Sequence, residues 1–587
     1  MERITILLMY VQRMVYKRTF EYLDNLGLMS IAAFLEDNGY RARVFTGITT
    51  DAVKVFEEES RKYPIFAVGL YCDYDNQSAV VSMSLILKEK YGVRVLVGGP
   101  QALHVGEEFL KAARCDFLIR GDGEYVIREL LDWMAWGRGT PANIKGIVYL
   151  DEAGLEVSTP ERPPIDDLVA LPAPSSQHLL RRPHKYNLSV ASARGCPFRC
   201  TFCFEGGNTK KLRLRSVESV KEEIIRGLDE NPEIKYIWFV DDTFTISYDR
   251  IALFCEVMSD LRSSRDFVWF CEGHASILSR WPQLVSMMKD AGMVRMQIGM
   301  EAGWQSALDM YGKQTTVEQI EEVVHLCWEC DLPQLAGNFI IGGVHETKET
   351  LEFTSTYIEK LLIATPGLLD ISTTFVIPLP NTAISNYPHD FGLNILDRSS
   401  LTSLEDFPVT ETLVFSREEL CHERYKFVKM LSDTMKYLLK SNKIPHGRLK
   451  KHFELALRYG VSSTWYKYLY TKDTAIRRYY TMLITTPAKR LEEILPSELK
   501  NWYPCRVFDI EDKAGWSNGR PALYEATLSP IEYELLLLCS GKINLNSIQL
   551  LMEQRHPDGL SGDQLCNSLE GILKTFQERH WVLFMPP

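Results

Sequence analysis

No apolar run in this 587-residue chain approaches the roughly 18–20 residues that cross a bilayer. The first apolar stretch, Ile4 to Tyr10, is too short and wrongly flanked for a secretory signal, so a cytoplasmic protein is expected. Net positive charge is missing too. The 66 basic side chains face 77 acidic ones, a formal balance of −11, which argues against a dedicated nucleic-acid binder. Thirteen cysteines, an odd number thinly spread, are not a disulfide framework. Most stand alone and read as small buried hydrophobes. Neither a glycine-rich dinucleotide fingerprint nor a Walker loop is present, so a nucleotide is not specifically indicated. What remains is 45% hydrophobic, 24% charged and 11% aromatic. That is an ordinary globular composition, long enough for three or four domains of about 150 residues.

Residues 1–150 alternate strand and helix signals, which predicts a doubly wound parallel α/β sheet of flavodoxin or Rossmann type. Ligands of such sheets lie beyond the C-terminal strand ends. Here these are Tyr10-Val11, Tyr71-Cys72-Asp73, Gly98-Gly99-Pro100-Gln101 and Arg120-Gly121-Asp122-Gly123-Glu124. Residues 151–187, proline-rich from Pro160 to Pro183, read as a linker. Six further βα repeats over 188–415 suit a full or partial barrel, with its chemistry at the C-terminal strand ends. Residues 416–495 look helical. In 496–587, three short helices with a strand pair at Arg506–Ile510 and Leu523–Ala526 suggest a winged-helix-like domain.

Two cysteine groups have ligand-like spacing. Arg194-Gly195-Cys196-Pro197-Phe198-Arg199-Cys200-Thr201-Phe202-Cys203 places three thiols in one turn directly after a strand. Three thiolates hold three irons of a cubane cluster and leave the fourth iron open. Zinc is the competing metal, but a structural zinc site wants four ligands, usually in two pairs, and no partner pair follows. Cys327 and Cys330 share a helix face and read first as core residues, with a second cluster or redox pair as the alternative.

The triplet, with Phe202 before its last cysteine, resembles the radical S-adenosylmethionine (SAM) superfamily. Trp238-Phe239-Val240-Asp241-Asp242-Thr243-Phe244 resembles that family's second-strand motif. Gly299-Met300-Glu301-Ala302-Gly303 resembles the strand whose glutamate supports SAM, with alanine where the family has serine. The resemblance implies a [4Fe-4S] cluster on Cys196, Cys200 and Cys203. It implies SAM near Phe202, Asp241, Asp242, Gly299 and Glu301. The N-terminal domain, with Leu26-Gly27-Leu28 and Leu96-Val97-Gly98-Gly99-Pro100, resembles the cobalamin-binding domain of the cobalamin-dependent branch. By that resemblance Tyr71, Cys72, Asp73, Gly98, Gly99, Pro100, Gln101, Gly121, Gly123 and Glu124 are candidate cobalamin contacts. The family motif that supplies a histidine to cobalt is absent, and His104 lacks its aspartate. Base-off cobalamin without a histidine ligand is therefore expected.

The resemblance implies methyl transfer from SAM through methylcobalamin to an unactivated carbon, with an external flavodoxin- or ferredoxin-like electron donor. Ring formation or rearrangement with cobalamin, polar methylation of a small molecule such as tryptophan, and a regulator with a structural cluster stand as alternatives. Glu272, at a barrel strand end, and Tyr311 are the candidate catalytic residues, each set against a plainer packing or hydrogen-bonding role; the role of His274 stays open. Lys210 to Arg215, alternating charge with leucine, read as a solvated strand close to the cluster loop. Asn544–Glu553 has no lysine or arginine, which argues against a DNA-reading helix. The C-terminal domain loosely resembles leader-recognition domains of ribosomal peptide natural-product pathways. A peptide substrate is thus favoured over a small molecule, with no nucleic acid and no membrane as partner.

Overall fold

The structure, a computed structural model, describes residues 3–12, 25–181, 187–209, 211–396, 407–441, 443–467, 474–510, 514–517, 520–523, 526–557 and 562–587. It forms two compact units, Met1–Thr434 and Met435–Pro587. The division falls inside helix Arg417–Lys440, so the helical stretch expected at 416–495 is not a unit of its own. No helix among the described residues is long and apolar enough to cross a membrane.

The first unit opens with β1 (Thr5–Gln12), β2 (Arg41–Ile48), β3 (Ile65–Tyr71), β4 (Arg94–Gly98) and β5 (Phe117–Ile119). They lie parallel in the order β2-β1-β3-β4-β5, the flavodoxin-like winding. Strand pleating sends neighbouring residues to opposite faces. Ile6 and Leu8 pack under α1 (Leu26–Asp37) and α5 (Gly123–Trp136). Leu7, Met9 and Val11 pack under α2 (Thr49–Lys62), α3 (Gln77–Tyr91) and α4 (Glu107–Ala113). The Asn25 side chain starts α1 by accepting from Leu28 N at 2.9 Å. The sheet does not stop at residue 150. β6 (Ile147–Leu150) and β7 (Glu156–Ser158) extend it as an antiparallel edge, so the expected linker begins later.

A second sheet contains β8 (Leu188–Val190), β11 (Tyr236–Phe239), β12 (Val268–Gly273), β13 (Met293–Glu301), β14 (Gln334–Ile341) and β15 (Leu369–Phe375). All six run parallel in sequential order, with β8 and β15 at the two edges among the described residues. This is an open, partial barrel. Between β8 and β11, β9 (Ala193–Arg194) and β10 (Arg213–Leu214) pair antiparallel and bracket the cysteine triplet, which is followed by α6 (Phe204–Asn208).

In the second unit the expected strand pairing is replaced. Tyr503–Arg506 pairs with the terminal strand Val582–Met585. Ala514–Ser517, Arg520–Leu523 and Ala526–Thr527 form a separate three-stranded sheet. Helices Pro530–Leu538, Leu545–Arg555 and Gly562–Glu578 lie where three were expected. Within this unit Tyr480 Oη lies 3.0 Å from His446 Nδ1 and 3.1 Å from His580 Nε2. Burial lowers these imidazoles to about 4 and about 3. Because the folded values lie below the ordinary ~6.5, stability is fully present above pH ~6.5 and falls as the unfolded chain takes up protons. The denaturation midpoint of this unit is expected to drop steadily between pH 7 and pH 4, and His446→Gln should flatten that drop in urea titrations.

Candidate functional site

The carboxyl ends of β1, β3, β4 and β5 face a cavity of about 360 Å³. Leu8, Leu28 and Ile31 give it apolar walls, Gly69, Gly98 and Gly99 bring backbone to its edge, and Arg194 comes from the barrel side. Gly99 has φ +103°, and a Cβ there would meet Cys72 O at 2.6 Å. The ends of β3 and β4 are stitched by Cys72 N donating to Gly98 O at 2.7 Å and Gln101 N to Cys72 O at 3.1 Å. Asp73 is consumed by its own loop, accepting from Tyr10 Oη at 3.0 Å and from Asp75 N and Asn76 N at 2.9 Å.

At the far side of the cavity lies a network of buried ion pairs. Arg194 donates to Glu124 Oε1 at 2.6 Å, Asp122 Oδ1 at 3.1 Å and Ser30 Oγ at 3.1 Å. Arg213, its cross-strand partner, donates to Asp122 Oδ2 at 2.5 Å and to Ile165 O at 2.9 Å. Glu124 is only 2% exposed. Burial opposes charge on Asp122, but the hydrogen bonds and the two guanidinium groups hold its carboxyl below the ordinary value. Arg215 lies 2.5 Å from buried Glu223. The run expected to be solvated therefore spends Arg213 and Arg215 on buried pairs, while Lys211 meets Asp166 at the surface and Lys210 lies outside the described residues.

The cysteine turn follows Arg194 immediately. Cys203 N donates to Cys200 O at 3.2 Å, and Cys196 Sγ lies 3.5 Å from Thr243 Oγ1. Among the described residues no three His, Cys, Asp or Glu side chains, these included, already converge at metal-ligand spacing. The thiols are nonetheless close enough that Cys203 and Cys196 disfavour ionisation of Cys200, which burial first raises to about 11. Phe198 stacks on His274 with centroids 3.7 Å apart and planes 9° from parallel. His274 Nε2 faces the carbonyl of Lys313 at 2.9 Å and must carry the proton, leaving Nδ1 to accept from Ser276 Oγ at 2.8 Å. Burial and the Lys313 charge push this imidazole down to about 3, so it is neutral. A side chain at Gly206 would collide with the Cys200 peptide, and one at Gly207 would meet Asn381 O at 2.5 Å. These two glycines let α6 lie over the turn.

Beside the turn, β13 carries a bulge between Gly299 and Glu301, and Glu301 takes φ +61°, a conformation costly for a residue with a Cβ. Bulges next to sites re-aim side chains. Here the bulge aims Glu301 at Lys313 Nζ, 2.9 Å away and equally buried. Burial alone would depress Lys313, but Glu301 and Cys200 more than reverse this. A Cβ at Gly299 would occupy the place of both charged ends. On β12, Glu272 accepts from Gln297 Nε2 at 3.2 Å; burial, then Asp242, raise it to about 7. Glu205 on α6 is raised to about 7 by the same two causes. Asp241 is buried, accepts from Ser192 N at 3.1 Å and Ser192 Oγ at 2.9 Å, and is raised to about 6 by burial.

A model of the radical SAM superfamily matches residues 190–358, which span the triplet, β11, β12, the Glu301 bulge and β14. Residues 190–358 are a radical SAM domain. Such a domain implies SAM and a [4Fe-4S] cluster. An uncharacterised methyltransferase of Pyrococcus horikoshii is 28% identical over 373 residues, 62% of this chain and 78% of that one. An anaerobic magnesium-protoporphyrin IX monomethyl ester cyclase of Cereibacter sphaeroides is 30% identical over 270 residues, 45% of this chain and less than half (44%) of the cyclase. The cobalamin-dependent S-adenosylmethionine radical enzyme OxsB, solved with aqua-cobalamin and SAM, shares the fold with a TM-score of 0.59 at 17% identity, covering 98% of this chain and 84% of that one.

On this radical SAM scaffold three sequence expectations change. Tyr311, one of the two candidate catalytic residues, is 1% exposed. Its Oη accepts from Val344 N at 3.3 Å, its carbonyl accepts from Thr201 N at 2.9 Å, and its ring meets Phe202 edge-on at 5.1 Å. It supports the cysteine turn from beneath. The Cys72 thiol is buried in the α2–α4 side of the core, and Glu124 is spent on Arg194. Cys327 is buried, in keeping with the core reading, whereas Cys330 is half-buried and caps its helix with Sγ 3.5 Å from Cys327 O. Lys313 and Glu205 were missed, because nothing in their local sequence tells which strand end they will meet. Gly299→Ala is expected to dislodge the Glu301–Lys313 pair while leaving α/β content intact. SAM affinity measured by calorimetry on the reconstituted protein should fall at least tenfold.

Proposed function

We propose that this chain is a cobalamin-dependent radical SAM methyltransferase that methylates an unactivated carbon of a peptide natural-product precursor. One observation carries the reading: a glycine-edged apolar cavity ends on Arg194, the residue that leads directly into the cluster cysteines. The donor set fits a cluster, since Cys196, Cys200 and Cys203 are three thiols on one turn, and three thiolates leave one iron of a cubane open. Phe202, Gly299 and the Glu301–Lys313 pair form the SAM side, where a buried charge pair suits the charged amino-acid end of SAM. Tyr71, Gly98, Gly99, Gly121 and Gly123 line the cavity proposed for cobalamin. His104 supports a corrin without a histidine ligand: its ring packs edge-on against Phe204, with centroids 6.1 Å apart. When bound, these groups supply a radical able to take hydrogen from carbon and a methyl group to replace it.

The chain's own contribution is positioning and exclusion of water. The Arg194 network ties the cysteine turn to the cavity, and His274 with Phe198 holds the turn's outer edge. Glu272 is the proposed residue facing substrate or the open iron. Its carboxyl, raised to about 7, is neutral below that pH and ionised above it. A step that uses the carboxylate rises through pH 7, and Glu272→Gln should remove that limb of the pH–rate profile, measured on 5′-deoxyadenosine release. Extended peptides join sheets by adding a strand, and the three-stranded sheet of Ala514–Ser517, Arg520–Leu523 and Ala526–Thr527 is the proposed place for one, which supports a peptide substrate. A flavodoxin- or ferredoxin-like donor would supply the electron.

The similarity to the cyclase favours ring formation as the second reading. Anaerobic reconstitution with cobalamin, SAM and a low-potential reductant, followed by mass spectrometry, separates the two. 5′-Deoxyadenosine together with S-adenosylhomocysteine is the expected result. Deoxyadenosine alone points to cyclisation, S-adenosylhomocysteine alone to polar methylation, and the absence of both products overturns the proposal.

A further inference from the structure

The segment expected to be a plain linker is part of the cavity. Leu168, Leu171, Pro172, Ala173 and Pro174 all line it, facing the apolar wall made by the sheet and α1. Both ends of this strap are pinned. At one end Ile165 N donates to Asp122 Oδ2 at 2.8 Å, and Ile165 O accepts from Arg213 at 2.9 Å. At the other, Pro174 O accepts from Arg226 at 2.8 Å, and Ser175 Oγ donates to Glu230 at 2.9 Å. Between these anchors, Asp167 Oδ1 accepts from Val169 N at 3.0 Å and Ala170 N at 3.3 Å, turning the chain so that Leu168 is buried. Three prolines or alanines in a row after Leu171 leave a stiff, flat wall with no polar side chain. A tether needs neither double anchorage nor a row of inward apolar residues; a wall that sets the thickness of a slot needs both.

We propose that the 168–174 strap is the specificity-determining wall of the cavity, closing over the flat heteroaromatic base on a corrinoid's nucleotide tail and so selecting which corrinoids the chain retains. The inference rests on the cobalamin reading. An apolar slot between Leu171–Pro174 and the Leu8–Leu28 side suits an aromatic ring, whose faces want apolar contact. A corrinoid without the nucleotide tail has nothing to place there.

The test titrates full-length protein with cobalamin and with cobinamide, which lacks the nucleotide tail, following corrin absorbance and retention on gel filtration. Wild-type protein is expected to hold cobalamin at least tenfold more tightly than cobinamide. Ala173→Trp, which fills the slot, should abolish that preference while leaving cobinamide affinity unchanged. Because a large residue may also disturb folding, Leu171→Ala is run beside it; by widening the slot it should lower the preference at least threefold, with unaltered circular dichroism. Variants that keep the full wild-type preference overturn the role of the strap and leave the cobalamin reading standing. Wild-type protein that binds neither corrinoid overturns the cobalamin reading itself, and the strap proposal with it.

Discussion

Arg194 carries one guanidinium from the edge of the partial barrel into a nest of acceptors at the starts of α1 and α5: Glu124, Asp122 and Ser30. Removing Arg194 leaves the buried Glu124 carboxylate without its cation; for a fully buried pair such a loss costs about 3–5 kcal/mol, and the partial exposure of Arg194 places this one below that. That penalty makes the network an all-or-none fastener. With Arg213 on the same carboxylate, both strands that bracket the cysteine turn are held to the glycine-ended strands of the first sheet. The cavity, the strap and the cluster turn all take their mutual positions from this contact.

The remaining site is organised by burial of charge. Burial opposes the charge on Lys313, and Glu301, with Cys200, more than offsets it; the bulge at Gly299 delivers the Glu301 carboxylate there. Burial and the nearby Asp242 raise Glu272 and Glu205 to about 7. One turn is thus flanked by a carboxylate paired with a buried lysine and by two others that change charge near neutrality.

Several structural residues look functional when only the chain is read. Tyr311 and Asp73 sit in motifs next to the chemistry, yet their polar atoms are satisfied by neighbouring backbone and side chains. Glu124 ends a glycine-rich strand turn, as a ligand contact would, but its partner is an arginine 70 residues away in the chain. Sequence position near a cofactor motif does not distinguish a residue that touches the cofactor from one that holds the residue that does.

The sequence by itself determined the alternation of strands and helices, the glycine-ended strand turns, the three-thiol turn and the Gly299–Gly303 motif. These depend on periodicity, steric freedom and short spacing, all local properties of a chain. Which ions would be buried together, the open rather than closed barrel, the pairing of Tyr503–Arg506 with Val582–Met585 and the conversion of the proline-rich segment into a cavity wall were decided only in the tertiary structure. Each of these brings together residues far apart in sequence, and the desolvation and packing that select such partners exist only once the chain has folded around them.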